Sequence, residues 1–97
     1  YIGKAAFEGT GITKVVLPER LTDIAEKMFL ECRKLESIYI PKAVQTIGKE
    51  AFKDCSLRDV YYGGNEEQWK QLVRDHEELN YITPHYNSSA LLATLSL

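Results

Sequence analysis

The stretch Leu35-Glu36-Ser37-Ile38-Tyr39-Ile40-Pro41-Lys42-Ala43-Val44-Gln45-Thr46-Ile47-Gly48-Lys49-Glu50-Ala51-Phe52-Lys53-Asp54-Cys55 decides how this chain folds, because its apolar positions return elsewhere in order. Its second half, Ile47-Gly48-x-x-Ala51-Phe52, has counterparts in Ile24-Ala25-x-x-Met28-Phe29 and Ile2-Gly3-x-x-Ala6-Phe7. The phenylalanines therefore stand 22 and then 23 residues apart, and three residues after each comes Thr10, Cys32 or Cys55. Its first half, Leu35-x-x-Ile38-x-Ile40-Pro41, is matched by Ile12-x-x-Val15-x-Leu17-Pro18 and by Leu57-x-x-Val60-x-Tyr62. Leu21 and Val44 each follow a proline by three residues and lead three residues later to the next Ile. At least eight positions recur per unit, a grid that chance does not produce, so the chain is an array of repeats.

The period has a physical reading. Ile38 and Ile40 alternate with polar or aromatic neighbours, the signal of a short strand, which Pro18 and Pro41 terminate because proline donates no ladder hydrogen bond. Val44-x-x-Ile47-Gly48 reads as a short extended return on the opposite side, with Gly3 and Gly48 allowing a tight turn and Ala25 serving in the middle copy. Lys49-Glu50-Ala51-Phe52 reads as one helical or 3₁₀ turn that drops Phe52 inward. A single unit cannot bury its apolar side; stacked units line Phe on Phe and Ile on Ile into one core.

Composition bounds the rest. Ninety-seven residues, 44% hydrophobic and 27% charged, suit one small globular unit rather than a disordered or fibrous chain. No apolar run approaches the roughly 20 residues a membrane helix needs. Twelve Lys and Arg against fourteen Asp and Glu give a net charge of −2 with the signs interleaved, so no basic stripe marks a nucleic-acid binder.

A 20–29 residue period built on L-x-x-L-x-L is the leucine-rich repeat signature. The fuller phrase from Leu35 to Cys55 resembles the BspA-like leucine-rich repeats of bacterial surface proteins, and the likeness covers residues 1 to about 62. Val60-Tyr61-Tyr62-Gly63-Gly64-Asn65-Glu66-Glu67-Gln68-Trp69, with His85-Tyr86-Asn87 further on, looks like the segment that closes such arrays. Thr10 replaces the usual Cys, Ala25 the usual Gly, and Ala43 stands where the common leucine-rich type has Asn, departures that touch turn geometry. The expected fold is thus an α/β repeat, a leucine-rich-repeat solenoid of short strands and turns or short helices, closed by a C-terminal helix and strand. The resemblance implies a non-enzymatic, secreted or cell-surface bacterial module that adheres to or contacts other proteins.

Residues 1–62 are expected to hold about three repeats, the first incomplete, and 63–87 a C-terminal cap. Asn65 can cap a helix over about 66–75, with Gln68 reaching back and Trp69, Leu72 and Val73 forming its apolar stripe. A return strand is expected over about 81–86, bent by Pro84. The tail 88–97, apolar, uncharged and β-prone, either pairs with an edge or is foreign to the natural protein. Because the sequence opens inside a repeat, it reads as the C-terminal part of a longer protein, and its uncapped first repeat invites edge-mediated self-association.

Chemistry finds little footing. Cys32 and Cys55 occupy one position of adjacent repeats; rungs about 4.8 Å apart leave a disulfide within reach, but parallel Cβ vectors favour a buried thiol ladder. His76 and His85 have neither H-x-x-x-H spacing nor a neighbouring Cys, so surface or cap packing is their expected role and no metal or other cofactor is expected. Gly9-Thr10-Gly11 and Gly63-Gly64 are not phosphate cradles, no nucleophile elbow occurs, and Glu66-Glu67 and Glu77-Glu78 read as solvated surface, so no enzyme is expected.

With Val15, Leu17, Ile38, Ile40, Val60 and Tyr62 turned inward, period two leaves Lys14, Val16, Ser37, Tyr39, Asp59 and Tyr61 on the outer strand face. Stacking aligns Val16, Tyr39 and Tyr61 in one row beside Lys14, Ser37 and Asp59, a candidate face for a protein partner. Alternatively these are ordinary cross-strand pairs of a spacer or cap with no ligand, or a carbohydrate platform.

Overall fold

The computed structural model describes residues 3–89. Ile2, and the tail from Ala90 to Leu97 with its expected edge pairing, lie outside the described residues. Five strands occur among those described: β1 (Lys14–Val16), β2 (Asp23–Ile24), β3 (Ser37–Ile40), β4 (Thr46–Ile47) and β5 (Asp59–Tyr62), followed by helix α1 (Glu66–Leu72) and a 3₁₀ helix (Glu77–Leu79). The strands form two parallel ladders, β1-β3-β5 and β2-β4. Each pairing joins residues one repeat apart: Val15 opposite Ile38, Ile38 opposite Val60, and Ile24 opposite Ile47.

The third side of each repeat departs from expectation. Lys49–Phe52 and its counterparts form no helix. Three successive turns run through each segment, closed in the second repeat by Met28, Leu30 and Cys32 N–H groups donating to the carbonyls of Ala25, Lys27 and Phe29. The intervening N–H groups of Lys27, Phe29 and Glu31 donate instead to Lys49, Ala51 and Lys53 of the next repeat, at 3.0, 2.8 and 2.9 Å. Ala5, Phe7 and Gly9 donate likewise to Glu26, Met28 and Leu30. Left-handed residues recur at the repeat period, Ala5, Lys27 and Glu50 at one corner and Gly9, Glu31 and Asp54 at the other, with φ between +57 and +69°. A positive φ at the third residue of a turn prevents helical continuation and turns alternate N–H groups outward. A 3₁₀ turn would keep every N–H inside its own repeat, leaving none to bind the neighbour.

Gly48 does open a turn, accepting from the Ala51 N–H, but its missing side chain serves another purpose. A Cβ there would lie 2.3 Å from the Glu26 nitrogen, so the backbones of adjacent repeats meet at this position. The one-residue difference between repeats falls between Cys32 and Leu35, where Thr10–Ile12 and Cys55–Leu57 are shorter by one. There the Leu35 N–H closes an extra turn on the Cys32 carbonyl, and the register resumes on either side.

Phe7, Phe29 and Phe52 stack at centroid separations of 5.4 and 5.3 Å, within 12° of parallel. Around this column Ile24 and Ile47, Leu21 and Val44, Leu35 and Leu57, and Ile38 and Val60 are buried in repeat-to-repeat pairs. Helix α1 is shorter than the expected 66–75, ending at Leu72 with Val73 as its cap. Asn65 and Gln68 make the reciprocal capping box, and Trp69 and Val73 are buried. Ending early lets the His76 N–H bond the Val73 carbonyl and the following 3₁₀ helix bury Leu79 completely.

The expected return strand over 81–86 shrinks to one bridge, His85 opposite Tyr61. Pro84 has no N–H to give, and Ile82 spends its own on the Leu79 carbonyl. Asn87 and Ser88 then donate to the carbonyls of Gly64 and Tyr62, so Ser88, expected to begin the tail, is tied into the folded body.

Candidate binding face

The register puts Lys14, Ser37 and Asp59 opposite one another, and Val16, Tyr39 and Tyr61 likewise, in the two rows expected. Their exposure differs from expectation. Val16 is 43% exposed, and Lys14 and Asp59 are exposed, but Ser37, Tyr39 and Tyr61 are buried at 7%, 2% and 8%. Alternation fixes which face a side chain takes, whereas neighbours stacked at rung spacing and segments beyond the strands decide whether water reaches it.

Two such segments cover the tyrosines. Glu19, just past Pro18, accepts a 2.8 Å hydrogen bond from the Tyr39 hydroxyl. Burial, with the adjacent Glu19 carboxylate, pushes the Tyr39 phenol up to about 12. From the cap, the His85 ring lies on Tyr61 with centroids 4.6 Å apart and planes 15° apart. His85 Nε2 also stands 3.8 Å from Asp59 Oδ1, both side chains being more than half exposed. His85 thereby extends the Val16–Tyr39–Tyr61 row by one rung. Tyr81, 67% exposed, reaches back to the Leu57 carbonyl at 3.4 Å and flanks the same end. The face is thus a floor of enclosed tyrosines rimmed by Val16, Lys14, Asp59, His85 and Tyr81. Sequence reading missed Glu19, His85 and Tyr81 as parts of it; the only signal was the expected strand over 81–86, whose register brings position 85 beside Tyr61.

The cysteines form a thiol column. Cys32 Sγ donates to the Phe7 carbonyl at 2.9 Å and Cys55 Sγ to the Phe29 carbonyl at 3.0 Å, each reaching one repeat back. Thr10 Oγ1 continues the column 3.6 Å from Cys32 Sγ. Both thiols are free, and burial pushes Cys55 up to about 12, with Cys32 adding to the rise. Among the paired acids, Glu66, Glu67 and Glu77 are exposed as expected, but Glu78 is half-buried and its Oε1 is enclosed without a hydrogen bond. His76 Nδ1 is 3.7 Å from it. Among the described residues no three His, Cys, Asp or Glu side chains gather as metal ligands, and no helix is long and apolar enough to cross a membrane.

The family model described as BspA type leucine rich repeat region (6 copies) matches residues 1–79. No curated protein and no solved structure matches the chain.

Proposed function

Because the chain belongs to the BspA type leucine-rich repeat family, we propose that it is a non-enzymatic protein-interaction module of a bacterial surface or secreted protein, an adhesive section of a leucine-rich-repeat solenoid. Its partner is a protein met outside the cell, bound on the face of β1, β3 and β5. The observation that carries this reading is the continuity of the face: β1, β3 and β5 keep one parallel register, and His85 extends it. Around the enclosed tyrosines, the rim offers an apolar side chain, both charges and an exposed phenol, a mixture suited to a protein surface.

The test is biolayer interferometry of the chain against extracellular-matrix proteins and mucins, with a glycan array alongside. Tyr39→Ala is unsuitable as a control because Tyr39 is packed; Asp59→Lys, His85→Ala and Val16→Asp alter exposed groups. Binding lost by at least about tenfold in these variants with an unchanged melting temperature supports the face. Binding that survives all three moves the site elsewhere, and no binding at all makes the module a spacer.

A further inference from the structure

Gly63 and Gly64, which are no phosphate cradle, have a different use. The Gly63 N–H donates to the Ile40 carbonyl at 2.9 Å, and a Cβ on Gly63 would lie 2.7 Å from the Lys42 nitrogen. The chain entering the cap therefore runs directly against the corner that follows β3. A Cβ on Gly64 would lie 2.8 Å from Cζ of Tyr62 and 2.7 Å from Gln68 Oε1. Its missing side chain lets the tip of the phenol pass beside the Gln68 amide of helix α1.

A groove of about 490 Å³ lies there, between Lys42, Val44 and Gln45 of the corner and Gln68, Gln71 and Leu72 of α1, with Tyr62 in its lining. Tyr62 is 2% exposed, but its hydroxyl is not sealed from water; the enclosed side-chain oxygen without a partner among the described residues is Glu78 Oε1. Tyr39 has Glu19 as its acceptor, whereas burial alone pushes the Tyr62 phenol above its ordinary value. The hydroxyl is a donor with no acceptor among the described residues, held at the groove by a close-packed ring.

The other polar groups are placed as firmly. The Gln45 N–H donates to the Thr22 carbonyl at 2.7 Å, and Gln68 Oε1 accepts from the Asn65 N–H at 2.8 Å, which leaves the Gln68 amide nitrogen as its outer end. Among the described residues the lining carries one charge, the Lys42 ammonium. Phenol, ammonium and amides together offer more donors than acceptors, which suits an anionic acceptor. Amides that both give and accept hydrogen bonds, beside the apolar strip of Val44 and Leu72, match the hydroxyls and the C–H face of a sugar ring.

We propose that this groove binds a sugar residue bearing a carboxylate. The carboxylate meets Lys42 and the Tyr62 hydroxyl, and the ring hydroxyls meet Gln45, Gln68 and Gln71. Alternation turns Tyr62 to the opposite side of β5 from Tyr61, so this site and the strand face are separate and neither reading depends on the other.

The experiment is NMR of the whole chain titrated with methyl glucuronide and with methyl glucoside, which has a hydroxymethyl group in place of the carboxylate. Sialyllactose and lactose form a second such pair, and acetate controls for the bare anion. At least one acidic sugar shifts the Gln45, Gln68 and Gln71 signals saturably at millimolar concentration, which names the acid, and its neutral counterpart binds at least about tenfold more weakly. Tyr62→Phe removes only the hydroxyl; it keeps the melting temperature and lowers affinity for that acidic sugar by about tenfold. Lys42→Gln abolishes the preference for the acid, and Asp59→Lys on the strand face changes nothing. Equal binding of acidic and neutral sugars, acetate binding as tightly as the acidic sugar, or a Tyr62→Phe variant that binds like the parent would overturn the proposal. So would shifts confined to β1, β3 and β5, or none with either acidic sugar.

Discussion

The Tyr39 hydroxyl donates to Glu19 Oε1 over 2.8 Å, tying the middle strand of the larger sheet to the chain that leaves its neighbour. Tyr39→Phe keeps the ring and removes this bond, leaving Glu19 exposed to water, so the loss should be about 1 kcal/mol. The folded-state phenol ionises near 12, above the ordinary value of 10.0. Its contribution is therefore complete below pH 10 and disappears as pH rises through 12. Urea unfolding of parent and variant should give a constant difference up to that range and a shrinking one within it. A difference that grows with pH would contradict the enclosed phenol.

Phe29 is packed on both faces by Phe7 and Phe52 and is fully buried. Phe29→Ala should cost about 3–5 kcal/mol, comparable to the whole stability of a domain this small. Thermal melting checks this directly. A variant that melts with the parent would mean that the aromatic column is not the core.

Gly48→Ala should destabilise by about 1–3 kcal/mol, because the new Cβ falls on the backbone of the preceding repeat. Gly11→Ala is the matched control, since a Cβ there meets open space, and its effect should stay within about 0.5 kcal/mol. Chemical denaturation of both variants separates close approach from a general effect of removing glycine.

Burial holds Cys55 protonated to about pH 12, and Cys32 is fully enclosed. A thiol reagent at pH 8 should label the native protein slowly and find two free thiols once denaturant is added. Rapid native labelling would show the column to be open, and a missing thiol would show a bridge.

Periodicity exposed the architecture because every repeat buries the same positions: Phe7, Phe29 and Phe52 mark the column, and Ile38 and Val60 the sheet. It misread the Ala51-Phe52 segment as helical because Lys49, Glu50 and Ala51 are all helix formers, with no glycine to signal a left-handed corner. That conformation at Lys27 and Glu50 accompanies hydrogen bonding between repeats, which local propensity does not contain. The burial of Tyr39 and Tyr61 was hidden for a related reason. Glu19 and His85 lie outside the strand phrases, so nothing in the alternation marks them as covers.

The corner between Cys32 and Leu35 takes in one more residue than its counterparts, and the sheet beyond it is undisturbed. Arg33 and Lys34 there are exposed, while the ladders on either side carry the register. Length is thus free to vary at this edge without unthreading a repeat, which makes it a place for a grafted epitope or loop.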